Sequence, residues 1–331
     1  MQDVIIIGAG PCGLSAAIEC ERRGLSTHII EKHSLVHSIY LYPTHMQFFS
    51  TAELLEIGDI PFPSPNEKPF RYEALSYYRK VADHYNLSIS QYEEAVSVES
   101  LADQTFIVHT VDRSGQKQQY EARNVVISTG YFDHPNYIGV PGEDLDKVTH
   151  YFREAHPYTG MKVAIIGGSN SAVDAAMELI RVGAQIDMIY RGEEVSENIK
   201  PWVRPVFEAM VQKEKIKVHV QSTVTEIRQN SISIRNHDGQ ITEIENDFVL
   251  ALTGFRPDRK LLTSCGVELD GDMEKPVFNP ETMESNVPGL YVAGVIASGR
   301  NANEVFIETG RRHGLAIAEH ISASRRTAQT D

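Results

Sequence analysis

The chain has 331 residues, enough for about two domains, and at 41% hydrophobic it can bury two ordinary cores. A formal charge of −14 without any basic stretch excludes a nucleic-acid binder, so attraction for an anion has to be local. No apolar run approaches the ~18 residues of a membrane span or forms a signal-peptide core, and three cysteines in neither a C-x-x-C pair nor a metal-ligand cluster leave a metal-free cytoplasmic protein as the expectation.

In chain order, residues 4–7 are β-branched and apolar, as suits a strand buried on both faces. They break at Gly8-Ala-Gly10-Pro11-Cys12-Gly13 and lead into a helical pattern over 12–23. Gly8 permits the tight turn, Gly10 lets backbone approach a pyrophosphate, and Gly13 lets the helix pack close to the strand. The helix directs its free N–H groups and positive dipole end at the phosphates. A second strand over 27–30 ends at Glu31, 23 residues after Gly8. A carboxylate there accepts hydrogen bonds from ribose hydroxyls and repels a 2′-phosphate, which favours the adenosine half of FAD or NAD.

Residues 40–50 are aromatic and contain histidine, and 57–69 carry four prolines and read as irregular loop. Arg71–His84 reads as a helix, with Ala74, Leu75, Tyr78 and Val81 on one face. Strands are predicted over Phe106–Asp112, 119–123 and 125–128, and residues 133–143 look like an interdomain crossing. A second glycine loop follows: residues 163–166 run into Gly167-Gly168-Ser169-Asn170-Ser171-Ala172. Its middle glycine is replaced by Ser169, and Ala172 holds the third position. The strand over 185–190 ends at Arg191, 24 residues after Gly167. A guanidinium in place of the carboxylate suits a ribose 2′-phosphate and hence NADP, with Lys200 and Arg204 as further cations.

Further strands are expected over 217–220, 224–228, Ser231–Arg235 and 248–253, the last ending at Gly254. Residues 289–294 form a buried strand ending at Gly294, and a long helix spans 302–321, with a frayed tail from Ser322. The last segment is expected to rejoin the first domain. The fold class is therefore α/β: two Rossmann-like dinucleotide-binding domains, three-layer ββα in build. The first is discontinuous over 1–131 and 247–331; the second spans 132–246.

These residues resemble the two-dinucleotide-binding flavoproteins, specifically their thioredoxin-reductase-like branch. The resemblance rests on the two glycine loops, Ser128-Thr-Gly130, Tyr190-Arg191, Leu252-Thr-Gly254-Phe-Arg-Pro257 and Gly289-Leu-Tyr-Val-Ala-Gly294, in the family's order along essentially the whole chain. A finer resemblance is to the bacillithiol disulfide reductases, through Gly10-Pro-Cys-Gly-Leu14, Tyr42-Pro-Thr-His45 with Phe48-Phe-Ser50, and Ala293-Gly-Val-Ile-Ala297. It implies FAD and NADPH as cofactors, a small-molecule disulfide such as bacillithiol disulfide as substrate, a role in thiol redox homeostasis, and a homodimer.

The chain departs from thioredoxin reductase twice. Where the redox dithiol lies it reads His150-Tyr-Phe-Arg153, and after Gly294 the ribityl-binding aspartate is Val295. Similarity to the branch's ferredoxin–NADP reductases at Leu41-Tyr42-Pro43 implies Tyr42 and Phe132 against the flavin ring, Ala95 near the adenine, and Lys32, Gly130, Gly254, Gly294 and Val295 among the cofactor contacts. Cys12 is the candidate redox thiol, because a helix N-terminus lowers a thiol pKa; the alternative is a small residue in a crowded turn. His45 is the candidate proton donor to a leaving thiolate, the alternative being a structural histidine. Cys20 and Cys265 read as packing, and Arg153, Arg300 and Arg311 as candidate contacts for the substrate's carboxylates. Ferredoxin or flavodoxin reduction and flavin monooxygenation are the rival activities.

Overall fold

The computed structural model describes residues 1–194, 199–301 and 304–328. The chain divides into two compact units: Met1–Leu41, Met46–His134 and Phe255–Asp331 form the first, and Tyr42–His45 with Pro135–Gly254 form the second.

The first unit is built on a mixed sheet ordered Ile89–Gln91, Thr27–Glu31, Gln2–Ile7, Lys117–Ile127, Phe106–Asp112, Glu93–Ser100, with Leu290–Val292 also paired to Lys117–Ile127. Val4, Ile5 and Ile6 are wholly buried; at ~1.5–3 kcal/mol for each such side chain, this strand anchors the core. The strands expected over 119–123 and 125–128 are one long strand with three partners, of which Gln2–Ile7 runs parallel along residues 122–127. Residues 117–122 pair antiparallel with Phe106–Asp112, and residues 125–127 pair parallel with Leu290–Val292. That continuity joins the antiparallel layer to the parallel one.

Helix Pro11–Glu21 starts with proline at the first helical position, where no amide is missed. The C-terminal helix His313–Ala328 packs against it. An alanine Cβ at Gly314 would lie 2.6 Å from the Ala16 amide nitrogen, so glycine is what lets the two backbones meet. The helix expected over 302–321 starts at residues outside the described ones. Beyond them a short helix, Ile307–Gly310, precedes the long one, which runs to Ala328 where a frayed tail was expected.

The second unit has a five-stranded parallel sheet ordered Ile216–His219, Gln185–Ile189, Lys162–Ile166, Phe248–Ala251, Val148–Thr149. An antiparallel meander, Thr223–Ile227, Ser231–Arg235 and Ile241–Glu245, accompanies it. The C-terminal boundary at 246 is corrected here. Phe248–Ala251 pairs with Lys162–Ile166 and completes this sheet, so the second unit extends to Gly254.

Candidate functional site

The two glycine loops share one construction. At Gly8 (φ +108°) a Cβ would sit 2.5 Å from the carbonyl oxygen of Ser128, the residue after strand Lys117–Ile127. At Gly167 (φ +138°) it would strike the carbonyl oxygen of Leu252, the residue after strand Phe248–Ala251. Each turn glycine thus presses on the neighbouring strand's exit, and positive φ makes glycine the residue of choice. The motifs Ser128-Thr-Gly130 and Leu252-Thr-Gly254 are the matching halves of these contacts. Ser128 adds hydroxyl hydrogen bonds to the Ile7 and Gly8 carbonyls at 3.0 and 2.9 Å.

The first loop has room where a phosphate needs it. A Cβ at Gly10 would meet nothing within 4 Å, and Gly10 caps helix Pro11–Glu21 without a side-chain cap. Gly13 is the opposite case: its Cβ would run into the Gly8 carbonyl and lie 2.6 Å from Ser128 Oγ. Glu31 is buried and accepts the Ala9 and His33 amides, each at 2.8 Å. Burial pushes its carboxyl above the usual range while the two amide hydrogen bonds oppose the rise. The same carboxylate that closes the loop retains lone pairs for a ribose. Lys32 lies 3.0 Å from Glu94, an exposed pair worth little energy, and Ala95 follows Glu94 in strand Glu93–Ser100, paired with Thr110. Phe132 stacks on Phe255 with ring centroids 4.3 Å apart, next to Gly130 (φ +73°).

In the second loop Ser169 heads helix Asn170–Arg181 without a side-chain cap, again leaving the helix N-terminus open. Ser171 follows it, exposed, and Ala172 is buried at the third position. Asn170 accepts the Lys200 amide at 3.0 Å. The Tyr190 ring leaves no room for a side chain at Gly168 or Gly192. Arg191 follows, exposed, with no hydrogen bond or ion pair among the described residues. The assisting cations have other partners: Lys200 binds Asp174 at 2.7 Å, and Arg204 binds Glu208 at 2.8 Å. Gly254 (φ +86°) accepts the Asn136 amide at 2.9 Å.

The surroundings of Cys12 oppose the activation that its helix position suggests. Its sulfur is enclosed by the backbone at Gly294 and Gly310, where added Cβ atoms would lie 3.0 and 2.8 Å away. Burial pushes the thiol up to about 12, against the pull of the helix dipole. Cys20 and Cys265 are packing residues, raised by burial to about 12 and about 11. Tyr42 and His45 group with the second unit. There His45 is half-exposed, 3.9 Å from Glu178 and edge-on to Phe152. Two of the candidate arginines are structural. Arg300 is paired with Glu274 at 2.7 Å, and Arg311 donates to the Glu53 and Glu56 carbonyls.

Sequence reading overlooked His313, whose Nδ1 accepts the Gly294 amide at 3.1 Å. The signal was present in Gly310-Arg-Arg-His313-Gly314, where two glycines four apart mark a helix face meant for close backbone contact.

Comparison with known proteins agrees with this geometry. Residues 5–294 match the family described as pyridine nucleotide-disulphide oxidoreductase. The chain is 49% identical to bacilliredoxin reductase Bdr of Bacillus subtilis (strain 168), over 97% of this chain and 98% of that one. The solved bacillithiol disulfide reductase Bdr (YpdA) from Bacillus cereus superposes with a TM-score of 0.94 at 47% identity, covering 98% of this chain and 99% of that one. Its counterpart from Staphylococcus aureus gives 0.92 at 45% identity, covering 98% and 100%. With both loops built as Rossmann-type turns and the match spanning both units, the chain belongs to the pyridine nucleotide-disulphide oxidoreductase family.

Proposed function

We propose that the first unit holds FAD, the second holds NADPH, and the enzyme reduces a low-molecular-weight disulfide of the bacillithiol type. The observation that carries this reading is the contrast between the strand ends: a buried carboxylate at Glu31 and an exposed guanidinium at Arg191 that has no partner among the described residues. The first accepts ribose hydroxyls, and the second attracts a 2′-phosphate. Both glycine loops fit a pyrophosphate, since each helix N-terminus lacks a side-chain cap and Gly10 faces open space.

Bound flavin supplies the chemistry of accepting a hydride from the nicotinamide and passing an electron pair to the acceptor. The chain's residues bind and orient: Gly8 and Ser128 fix one turn, Gly167 and Leu252 the other, and Glu31 holds the Ala9 amide. The net reaction consumes NADPH, a proton and the disulfide, and yields NADP and two thiols. All three cysteines are free, and none forms a C-x-x-C pair, so a thioredoxin-type exchange has no dithiol to use. The charge of −14 disfavours docking of acidic ferredoxins or flavodoxins. We also propose a cytoplasmic homodimer; among the described residues no helix is long and apolar enough to cross a membrane.

Anaerobic protein loaded with FAD is expected to oxidise NADPH many times faster when bacillithiol disulfide is added, followed at the NADPH absorbance. A rate indifferent to the disulfide but raised by ferredoxin or flavodoxin rejects the reading. Cys12 remains the proposed exchanging thiol and His45 the proposed proton donor. A second reading, with Cys12 as a packing sulfur, is favoured by its enclosure between Gly294 and Gly310. Cys12→Ala in the same assay separates them: turnover falls to background if the thiol exchanges with substrate and is retained if it only packs.

A further inference from the structure

We infer that His313 is the positioning residue that orients the Gly294 peptide for the flavin nucleotide, the task the family's aspartate performs one residue later. The inference rests on the first unit being the FAD site. Gly294 closes strand Leu290–Val292 and turns at φ +80°. The following residue is Val295, which brings no carboxylate; its carbonyl accepts the Ser298 hydroxyl at 2.7 Å. The Gly294 amide is held by one side chain, the His313 imidazole, at 3.1 Å.

The surroundings leave this turn little alternative. Cys12 Sγ stands against Gly294 on one side, and the Gly310 backbone stands so close that a Cβ there would lie 3.1 Å from Gly294 Cα. His313 is itself fixed in register, because the next residue, Gly314, is pressed onto the Ala16 backbone. Since Nδ1 accepts, the ring proton sits on Nε2 and the imidazole is neutral. Burial lowers the His313 pKa and so favours the same state. A protonated ring would turn a donor toward the Gly294 N–H and lose the contact. His313 therefore supplies by position what a carboxylate elsewhere supplies by charge.

The test compares His313→Leu, which removes the acceptor, with His313→Asn, whose amide oxygen can stand near the place of Nδ1. A third variant, His313→Gln, carries its amide one bond further out. FAD affinity is read by titrating apoprotein and following flavin fluorescence. His313→Leu and His313→Gln should weaken FAD binding by about tenfold, the loss of one buried hydrogen bond. His313→Asn should stay within about threefold of wild type. In the wild-type protein, imidazole 15N spectra should show an unprotonated Nδ1 and a protonated Nε2 at His313. Equal FAD affinity in wild type and His313→Leu, an Asn variant as weak as Leu, or a protonated Nδ1 overturns the inference. The spectrum decides even where a variant fails to fold. Wild-type apoprotein that binds no FAD refutes the FAD assignment instead.

Discussion

Replacing Gly13 by alanine is expected to lower the stability of the protein by more than about 4 kcal/mol. The added methyl would run into the Gly8 carbonyl oxygen and crowd Ser128 Oγ, and both belong to backbone or to a buried hydroxyl that already bonds two carbonyls. Neither neighbour can move without opening the contact between the first strand and Lys117–Ile127. Gly10→Ala is the control, because the same change three residues away meets open space and an extended backbone (φ −74°) that alanine adopts readily. It should shift the melting temperature of the apoprotein by less than about 2 °C, yet weaken FAD binding by about tenfold or more, because its methyl enters the space reserved for the pyrophosphate. Thermal unfolding of apoprotein together with FAD titration separates the two. A Gly13→Ala protein melting with wild type would mean that the loop is looser than its geometry.

Arg191→Ala is expected to raise the KM for NADPH by roughly tenfold to a hundredfold while leaving that for NADH within about twofold. A charge-assisted hydrogen bond to a phosphate contributes about 1.5–3 kcal/mol, which sets that range. The effect should be concentrated in one residue because Lys200 and Arg204 already have carboxylate partners, whereas Arg191 has none among the described residues. Steady-state kinetics with both nucleotides decide the matter. Equal changes for NADPH and NADH would show that Arg191 supports the loop without reading the 2′-phosphate.

What could be read from the sequence was the local part of each site. A turn glycine, a close-packing glycine and a strand-end charge are fixed by short-range geometry, so Gly8, Gly13, Gly167, Glu31 and Arg191 were recognisable in a window of about 25 residues. The rest depends on distant partners. Phe248–Ala251 reads as a buried strand, but only parallel pairing with Lys162–Ile166 shows to which sheet it belongs. The two strands predicted between 119 and 128 are one because different neighbours take its two halves. The enclosure of Cys12 is hidden from the sequence for the same reason. The helix dipole is written beside it in the sequence, whereas the Gly294 and Gly310 backbones that bury its sulfur come from the far end of the chain. Strand Glu93–Ser100 is hard to see in the sequence because its apolar alternation is weak: Val96 is exposed while Glu93 is buried.

The return of the C-terminal segment to the first sheet has a consequence for biosynthesis. Strand Gln2–Ile7 borders Lys117–Ile127, which also pairs in parallel with Leu290–Val292, and helix Pro11–Glu21 is covered by His313–Ala328. The first unit therefore waits, partly uncovered, until residues 290–328 have been translated. The second unit needs nothing beyond Gly254 and can close while synthesis continues. A ribosome stalled between Gly254 and Leu290 should carry a protease-resistant second unit and a still-sensitive first one, so of the two units the one begun earlier matures later.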